Sequence, residues 1–230
     1  MQITDGRQAT DGRRPTDDAR RPPFVFQPSF IVGLLALSPL VIFVVRALAG
    51  DLSVNPIQEA VQISGRTALN LLILSLAITP AARLLRAPYL IPARRSLGLY
   101  AFGWALLHLL TFAVIDFGLN LPLILREFAE KAYLIAGAGA LLILIPLTVT
   151  STRYWQRTLG ARWKTLHRGV YLAAVLALLH YWAALKPDLN DALLLYAPLL
   201  SALLLLRQPL IRKLFRPLPP RAQQQTDERS

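Results

Sequence analysis

Six apolar runs, separated by short polar stretches, dominate this chain. They lie near Phe30 to Ala49, Ile63 to Leu84, Leu97 to Phe117, Ala132 to Thr150, Leu166 to Leu185 and Ala192 to Leu206, the last being the shortest. A hydrocarbon core of roughly 30 Å takes about 20 apolar residues of helix, and a helix satisfies its own backbone hydrogen bonds in lipid. The pattern therefore predicts an all-α membrane protein, a six-transmembrane-helix bundle over residues 28–206. Residues 1–27 mix Arg, Asp, Thr, Gly and Pro without apolar periodicity and are expected to form a disordered tail. Residues 207–230 form a second, basic tail.

Composition agrees with that reading. Of 230 residues, 54% are hydrophobic and 17% charged, too apolar a balance for a soluble domain that must cover itself with polar surface. A net charge of +12 would suggest nucleic acid in a soluble protein. Here the basic residues sit between the apolar runs instead of forming one solvated face, so no nucleic-acid partner is expected. They report topology. Twenty Lys and Arg fall on one side, in the N-terminal tail, the Arg83 to Arg95 loop, the Arg153 to Arg168 loop and the tail from Arg207. Five fall on the other: Arg46, Arg66, Arg126, Lys131 and Lys186. The asymmetry places both termini in the cytoplasm. The two inner loops hold no Asp or Glu, whereas Asp51, Glu59, Asp116, Glu127, Glu130, Asp188 and Asp191 approach the outside. Arg13-Arg14 and Arg20-Arg21 before a run ending in Ala47-Leu48-Ala49 resemble a cleavable export signal. Removing that helix would leave five spans and a basic tail outside, against the charge distribution, so it is read as a retained span.

There is no cysteine, which excludes disulfides, thiolate-bound zinc and iron–sulfur clusters. The three histidines, His108, His167 and His180, become the candidate chemistry. The third and fifth spans both run from cytoplasm to outside, so depths can be compared. His108 lies roughly 16 Å from the inner end of its span and His180 roughly 21 Å, at about 1.5 Å per residue. An ionisable residue in mid-membrane is costly and marks function by default. Two imidazoles at one level on parallel helices suit the two axial positions of a haem. The bland alternative is interhelical hydrogen bonding to Ser, Thr or Tyr. Gly98 and Gly103 precede His108 on its own helix, where a missing side chain lets a flat macrocycle or a neighbouring helix come close.

His167 stands roughly 20 Å below His180, at the cytoplasmic interface. Its counterpart on the third span is Arg95, so a second haem at that level would lack a matching histidine. His167 would then serve a flavin, a quinone or a haem edge, or be an interfacial residue without a ligand. Arg66, toward the outer end of the second span, could pair with haem propionates or snorkel to the interface. Trp163, His167 and Tyr171 recur every four residues, as on one helical stripe. That stripe could pack a cofactor, although aromatics at a membrane boundary commonly form a belt, the reading preferred for Trp155. The basic inner loops would attract a flavin phosphate or anionic lipid headgroups. No G-x-G-x-x-G follows a strand, there is no P-loop, and 24 residues follow the last span, so a nucleotide-binding domain is not expected. Electrons would arrive from a quinol in the bilayer or a separate reductase.

Gly65-Arg66-Thr67-Ala68-Leu69, Ile78-Thr79-Pro80, Arg94-Arg95 with Leu97-Gly98-Leu99, and His108 carry a resemblance that continues through Thr150-Ser151, Trp155, Leu159-Gly160, Trp163, Leu166-His167, Tyr171 and His180-Tyr181. Together these resemble the MsrQ family, also called YedZ: haem-binding membrane subunits of the periplasmic methionine sulfoxide reductase system, within the ferric-reductase-like transmembrane group. The match runs from about Arg46 to Lys186 and is densest from Thr150 to His180; the N-terminal tail, longer and more polar than expected, lies outside it. The resemblance implies b-type haem, a flavin mononucleotide (FMN), and electrons from the quinone pool or a flavin reductase. It also implies delivery to the molybdopterin subunit MsrP, which carries the substrate chemistry, and location in the bacterial inner membrane. His108, His167 and His180 fall on the family's histidine positions. Competing readings are a proton or solute transporter using the histidines as relays and a structural anchor that only docks a partner. Transporters commonly show intramembrane acids, broken helices or repeats; Pro146 is one possible break, but no second half matches it.

Overall fold

A computed structural model describes residues 28–185 and 190–205. Among them every regular element is helical. In chain order these are α1 (Pro28–Leu48), α2 (Pro56–Leu84), α3 (Ala93–Leu110), α4 (Leu121–Glu130), α5 (Ala132–Val149), α6 (Arg153–Leu159), α7 (Ala161–Leu166), α8 (Gly169–Ala184) and α9 (Asn190–Leu205). A 3₁₀ turn at Pro88–Leu90 leads into α3, and a π-helical segment, Thr111–Asp116, continues it. Both expected tails and the Lys186 to Leu189 link, which holds Asp188, lie outside the described residues.

Each apolar run coincides with a helix. Among the described residues, four helical stretches are long and apolar enough to cross a membrane: Phe30–Leu48, Pro56–Leu84, Pro88–Asp116 and Ala132–Val149. α8 and α9 have 16 residues each, about 24 Å of helix, shorter than the hydrocarbon core. α8 starts at Gly169, so Leu166 and His167 lie before it rather than inside the fifth span. The second run begins two turns earlier than its apolar residues suggest. Asn55 caps α2 by accepting the Gln58 N–H at 3.1 Å, Pro56 supplies a fixed φ, and Glu59 sits in the first turn. Three short helices join the spans. α4 is capped by Asn120, which accepts from Leu123 N–H, and exposes Leu121, Leu123 and Leu125 beside an Arg126–Glu130 ion pair. The loop from Arg153 holds α6 and α7, joined at Gly160, whose φ of 51° favours a residue without a Cβ.

Two helix pairs build the bundle: α2 packs along α3, and α5 along α8. Contacts of α3 with α5 and of α2 with α8 join the pairs, with α1 against α3 and α9 against α8 and α2. Leu69, Leu72 and Leu76 of α2 meet Ala101 and Trp104 of α3, Leu144 of α5 and Ala173 and Ala174 of α8 in one core. The outside is equally apolar: Leu34 is 67% and Leu142 66% exposed, which only a lipid solvent would tolerate at this frequency. α1 is tied in by Trp104, whose buried Nε1–H donates to the Ala36 carbonyl at 2.8 Å; leaving such a donor without an acceptor costs about 1–3 kcal/mol. At the other end Arg46 pairs with Glu59 and Asp51, linking α1 to α2.

Candidate functional site

The helix pairs enclose a cavity of about 550 Å³, lined among others by Gly65, Arg66, His108, Gly137, His180 and Tyr181. His108 comes from α3 and His180 from α8. Their ring centroids are 5.9 Å apart, with planes at 79°. Two histidines read as lying at similar depth thus face each other across one space.

Each ring is fixed at Nδ1. His108 Nδ1–H donates to the Val61 carbonyl at 2.9 Å, with Ser64 Oγ at 3.4 Å; His180 Nδ1–H donates to the Tyr133 carbonyl at 2.8 Å. A carbonyl can only accept, so Nδ1 bears the proton and, in the neutral ring, Nε2 keeps its lone pair. The two nitrogens diverge in the ring plane, so anchoring Nδ1 on a flanking helix turns Nε2 away from it. Interhelical hydrogen bonding and metal ligation are therefore not rival uses of these histidines. One nitrogen serves each.

The donor set and spacing fit a haem iron. Two metal–nitrogen bonds of roughly 2 Å each would set axial imidazole centroids about 6 Å apart. Among the described residues no three His, Asp or Glu side chains gather into a conventional metal cluster, so a metal here would need further equatorial ligands, as a macrocycle provides.

The glycines that matter are on the neighbouring helices. A Cβ on Gly65 of α2 would lie 3.0 Å from His108 Cε1 and Nδ1; one on Gly137 of α5 would lie 2.7 Å from His180 Nδ1. Gly98 and Gly103, singled out on His108's own helix, meet nothing within 4 Å and do not line the cavity. That expectation is corrected because a histidine in a helix bundle reaches across to the adjacent helix.

Arg66 also borders the cavity. Its Nε–H donates to Tyr181 Oη at 3.3 Å, next to His180 in sequence. The Tyr181 ring stands edge-on to Tyr196 at 5.7 Å, and Tyr196 Oη donates to Asn70 at 2.7 Å. The Arg66–Tyr181 and Tyr196–Asn70 hydrogen bonds are thus joined by a ring contact across α2, α8 and α9.

His167 lies apart from this cavity, in the turn between α7 and α8. Its ring stacks on Trp163 at 3.9 Å and 27°, and its Nδ1–H donates to the Trp163 carbonyl at 3.1 Å. Trp163 Nε1–H donates to Thr150 O at 2.8 Å, pinning α7 to the end of α5. Burial holds the His167 imidazole below the usual histidine range; carbonyls of Trp163 and Leu147 oppose this, and the Arg94 charge adds to it. Arg94, not Arg95, is the guanidinium that acts on His167, while Arg95 is exposed. The stripe continues to Tyr171 only in sequence, because the helix breaks between Leu166 and Gly169.

Residues 64–178 match the model of the ferric reductase like transmembrane component family. The chain is 44% identical over 168 residues to the protein-methionine-sulfoxide reductase heme-binding subunit MsrQ of Salmonella paratyphi B, covering 73% of this chain and 84% of that one. The subunits of that name from Salmonella newport and Salmonella dublin match equally.

Proposed function

Because the chain belongs to the MsrQ family of ferric-reductase-like membrane proteins, we propose that it binds haem b between His108 and His180 and carries electrons across the bacterial inner membrane. The observation that carries this is the pair of rings 5.9 Å apart, each anchored at Nδ1 by a main-chain carbonyl. Haem supplies a one-electron couple. His108 and His180 offer it Nε2 lone pairs, and the lipid-facing apolar residues keep bulk water away. Arg66 sits at the cavity wall, where a guanidinium neutralises acidic groups entering from the outer side.

In this reading the six apolar helices α1, α2, α3, α5, α8 and α9 all span, with both termini cytoplasmic, supported by the basic inner loops. The family supports quinol or a flavin reductase as donor and the periplasmic molybdopterin subunit MsrP as acceptor, so methionine sulfoxide is reduced on the partner. His167, Trp163 and Arg95 belong to the side that receives electrons, where an FMN phosphate or a further haem would meet a basic surface. Anionic lipid headgroups are the other partner of that surface.

The test is an absorption spectrum of the purified chain, oxidised and then reduced. Sharp b-type bands on reduction are expected. A chain purified from haem-replete membranes without them would be a transporter or an anchor instead.

A further inference from the structure

The two histidines are seated in matching ways, and the sequence repeats with the seats. His108 lies 47 residues after its acceptor carbonyl at Val61, and His180 lies 47 after its own at Tyr133. Each seat also has a glycine one helical turn beyond the carbonyl: Gly65 under His108, Gly137 under His180. The seats are 72 residues apart, from Gly65 to Gly137, and at that offset Ile63, Ala68, Leu69, Leu72 and Ile73 of α2 reappear as Ile135, Ala140, Leu141, Leu144 and Ile145 of α5. Ala101 and the run Ala105-Leu106-Leu107-His108 of α3 reappear as Ala173 and Ala177-Leu178-Leu179-His180 of α8. Thus α2–α3 and α5–α8 match at these positions, and each pair delivers one ring to the shared cavity.

The need for glycine follows from the hydrogen bonding of a helix. A helical carbonyl accepts the N–H four residues on, and its second lone pair is free for another donor. To reach that lone pair, an imidazole must lie on the backbone of the next turn, where a side chain would stand. A Cβ at Gly137 would come within 2.7 Å of His180 Nδ1 and 2.9 Å of Cε1. Any larger residue pushes the ring off its carbonyl.

We propose that Gly65 and Gly137 are positioning residues for haem, holding the two Nδ1–H groups on Val61 and Tyr133 so that Nε2 is presented as ligand and made more basic. This rests on the haem reading above. A donated Nδ1–H raises the electron-donating power of the ligand, which favours the oxidised metal and lowers the midpoint potential.

The experiment uses the full chain carrying Gly65→Ala or Gly137→Ala, with Gly98→Ala and Gly103→Ala as controls. Haem per chain, low-temperature electron paramagnetic resonance of the oxidised form, and the midpoint potential are read. The seat variants are expected to shift the low-spin g values and raise the midpoint, Gly137→Ala more than Gly65→Ala, while the controls match the parent. A second arm avoids any folding defect of those variants. His180→Gly is supplied with imidazole or 1-methylimidazole; both ligate, but only imidazole retains an N–H for Tyr133. Imidazole is expected to restore the parent midpoint and 1-methylimidazole to give a higher one. Equal midpoints with the two ligands overturn the proposal, as do seat variants with parental g values and midpoint. Absence of haem from the parent chain would instead sink the functional reading beneath it.

Discussion

The imidazoles of His108 and His180 stand 5.9 Å apart at 79°, each held at Nδ1 by a main-chain carbonyl on a different helix. Neither ring is anchored by the helix that carries it. Replacing either histidine with Ala should therefore abolish the low-spin haem spectrum, since one ligand remains and its opposite position opens. Two Ala variants with full haem content and an unchanged spectrum would refute bis-histidine ligation.

Arg66 should matter through its charge. Arg66→Met removes a cation from the cavity wall, which disfavours the reduced form less charged in iron, so the midpoint should fall. Tyr181→Phe loses the Arg66 partner but keeps the charge, and its shift should be smaller. Redox titration of both decides. An unchanged midpoint with full haem retention in Arg66→Met leaves Arg66 as an interfacial side chain.

The outer acids should steer the electron acceptor. Asp116 is exposed and, like Glu127, lines the cavity, while Glu127 and Glu130 each hold a cation on or next to α4. Asp188 lies outside the described residues, as does the side chain of Asp191. Combined reversal of the five should slow transfer to the acceptor proposed above by about tenfold at low salt, with the difference shrinking as salt rises. Stopped-flow rates identical to the parent at low salt would exclude this surface.

His167→Ala should slow reduction of the His108–His180 haem by about tenfold, equivalent to about 1.4 kcal/mol of barrier. Haem content, flavin content and reduction rate by quinol or reduced flavin are measured together. Loss of one haem equivalent with normal flavin identifies a second haem; loss of flavin identifies a flavin site; no change in any of the three removes His167 from the electron path.

Burial also gives His167 a pH signature. Its folded pKa lies below the ordinary value, so the neutral ring is favoured by folding. Its contribution to stability is complete above about pH 6.5 and is lost as pH falls through the lower folded value. Trp163 fluorescence should follow that loss in the parent and not in His167→Gln.

The long helices were legible because lipid forces them into continuous apolar runs. α4 was not, since ten residues containing Arg126, Glu127 and Glu130 fall below any spanning length. The inner loop hid α6 and α7 for the same reason. The facing of His108 and His180 was legible through their depth and through the family resemblance. The seats were missed although the signal is present: Gly65 to His108 and Gly137 to His180 have equal spacing, and Ala-Leu-Leu-His occurs twice. Pro146 has Leu74 at its matching position, so proline breaks conceal the repeat, and the glycines on His108's own helix are not the ones that seat it. The break after Leu166 could not be read from a four-residue periodicity that holds for Trp163 and His167 but stops short of Tyr171.

Beyond the histidines the two hairpins part company. α8 runs on as ordinary helix to Ala184, whereas α3 passes into the π-helical Thr111–Asp116, in which Phe117 N–H bonds back to Phe112 O. The wider turn aims Phe112, Asp116 and Phe117 at the cavity from one side only. A seat of twofold symmetry would accept a flat ligand equally in either of two flipped orientations. The π turn makes the two walls unlike, so the cavity itself lacks that symmetry.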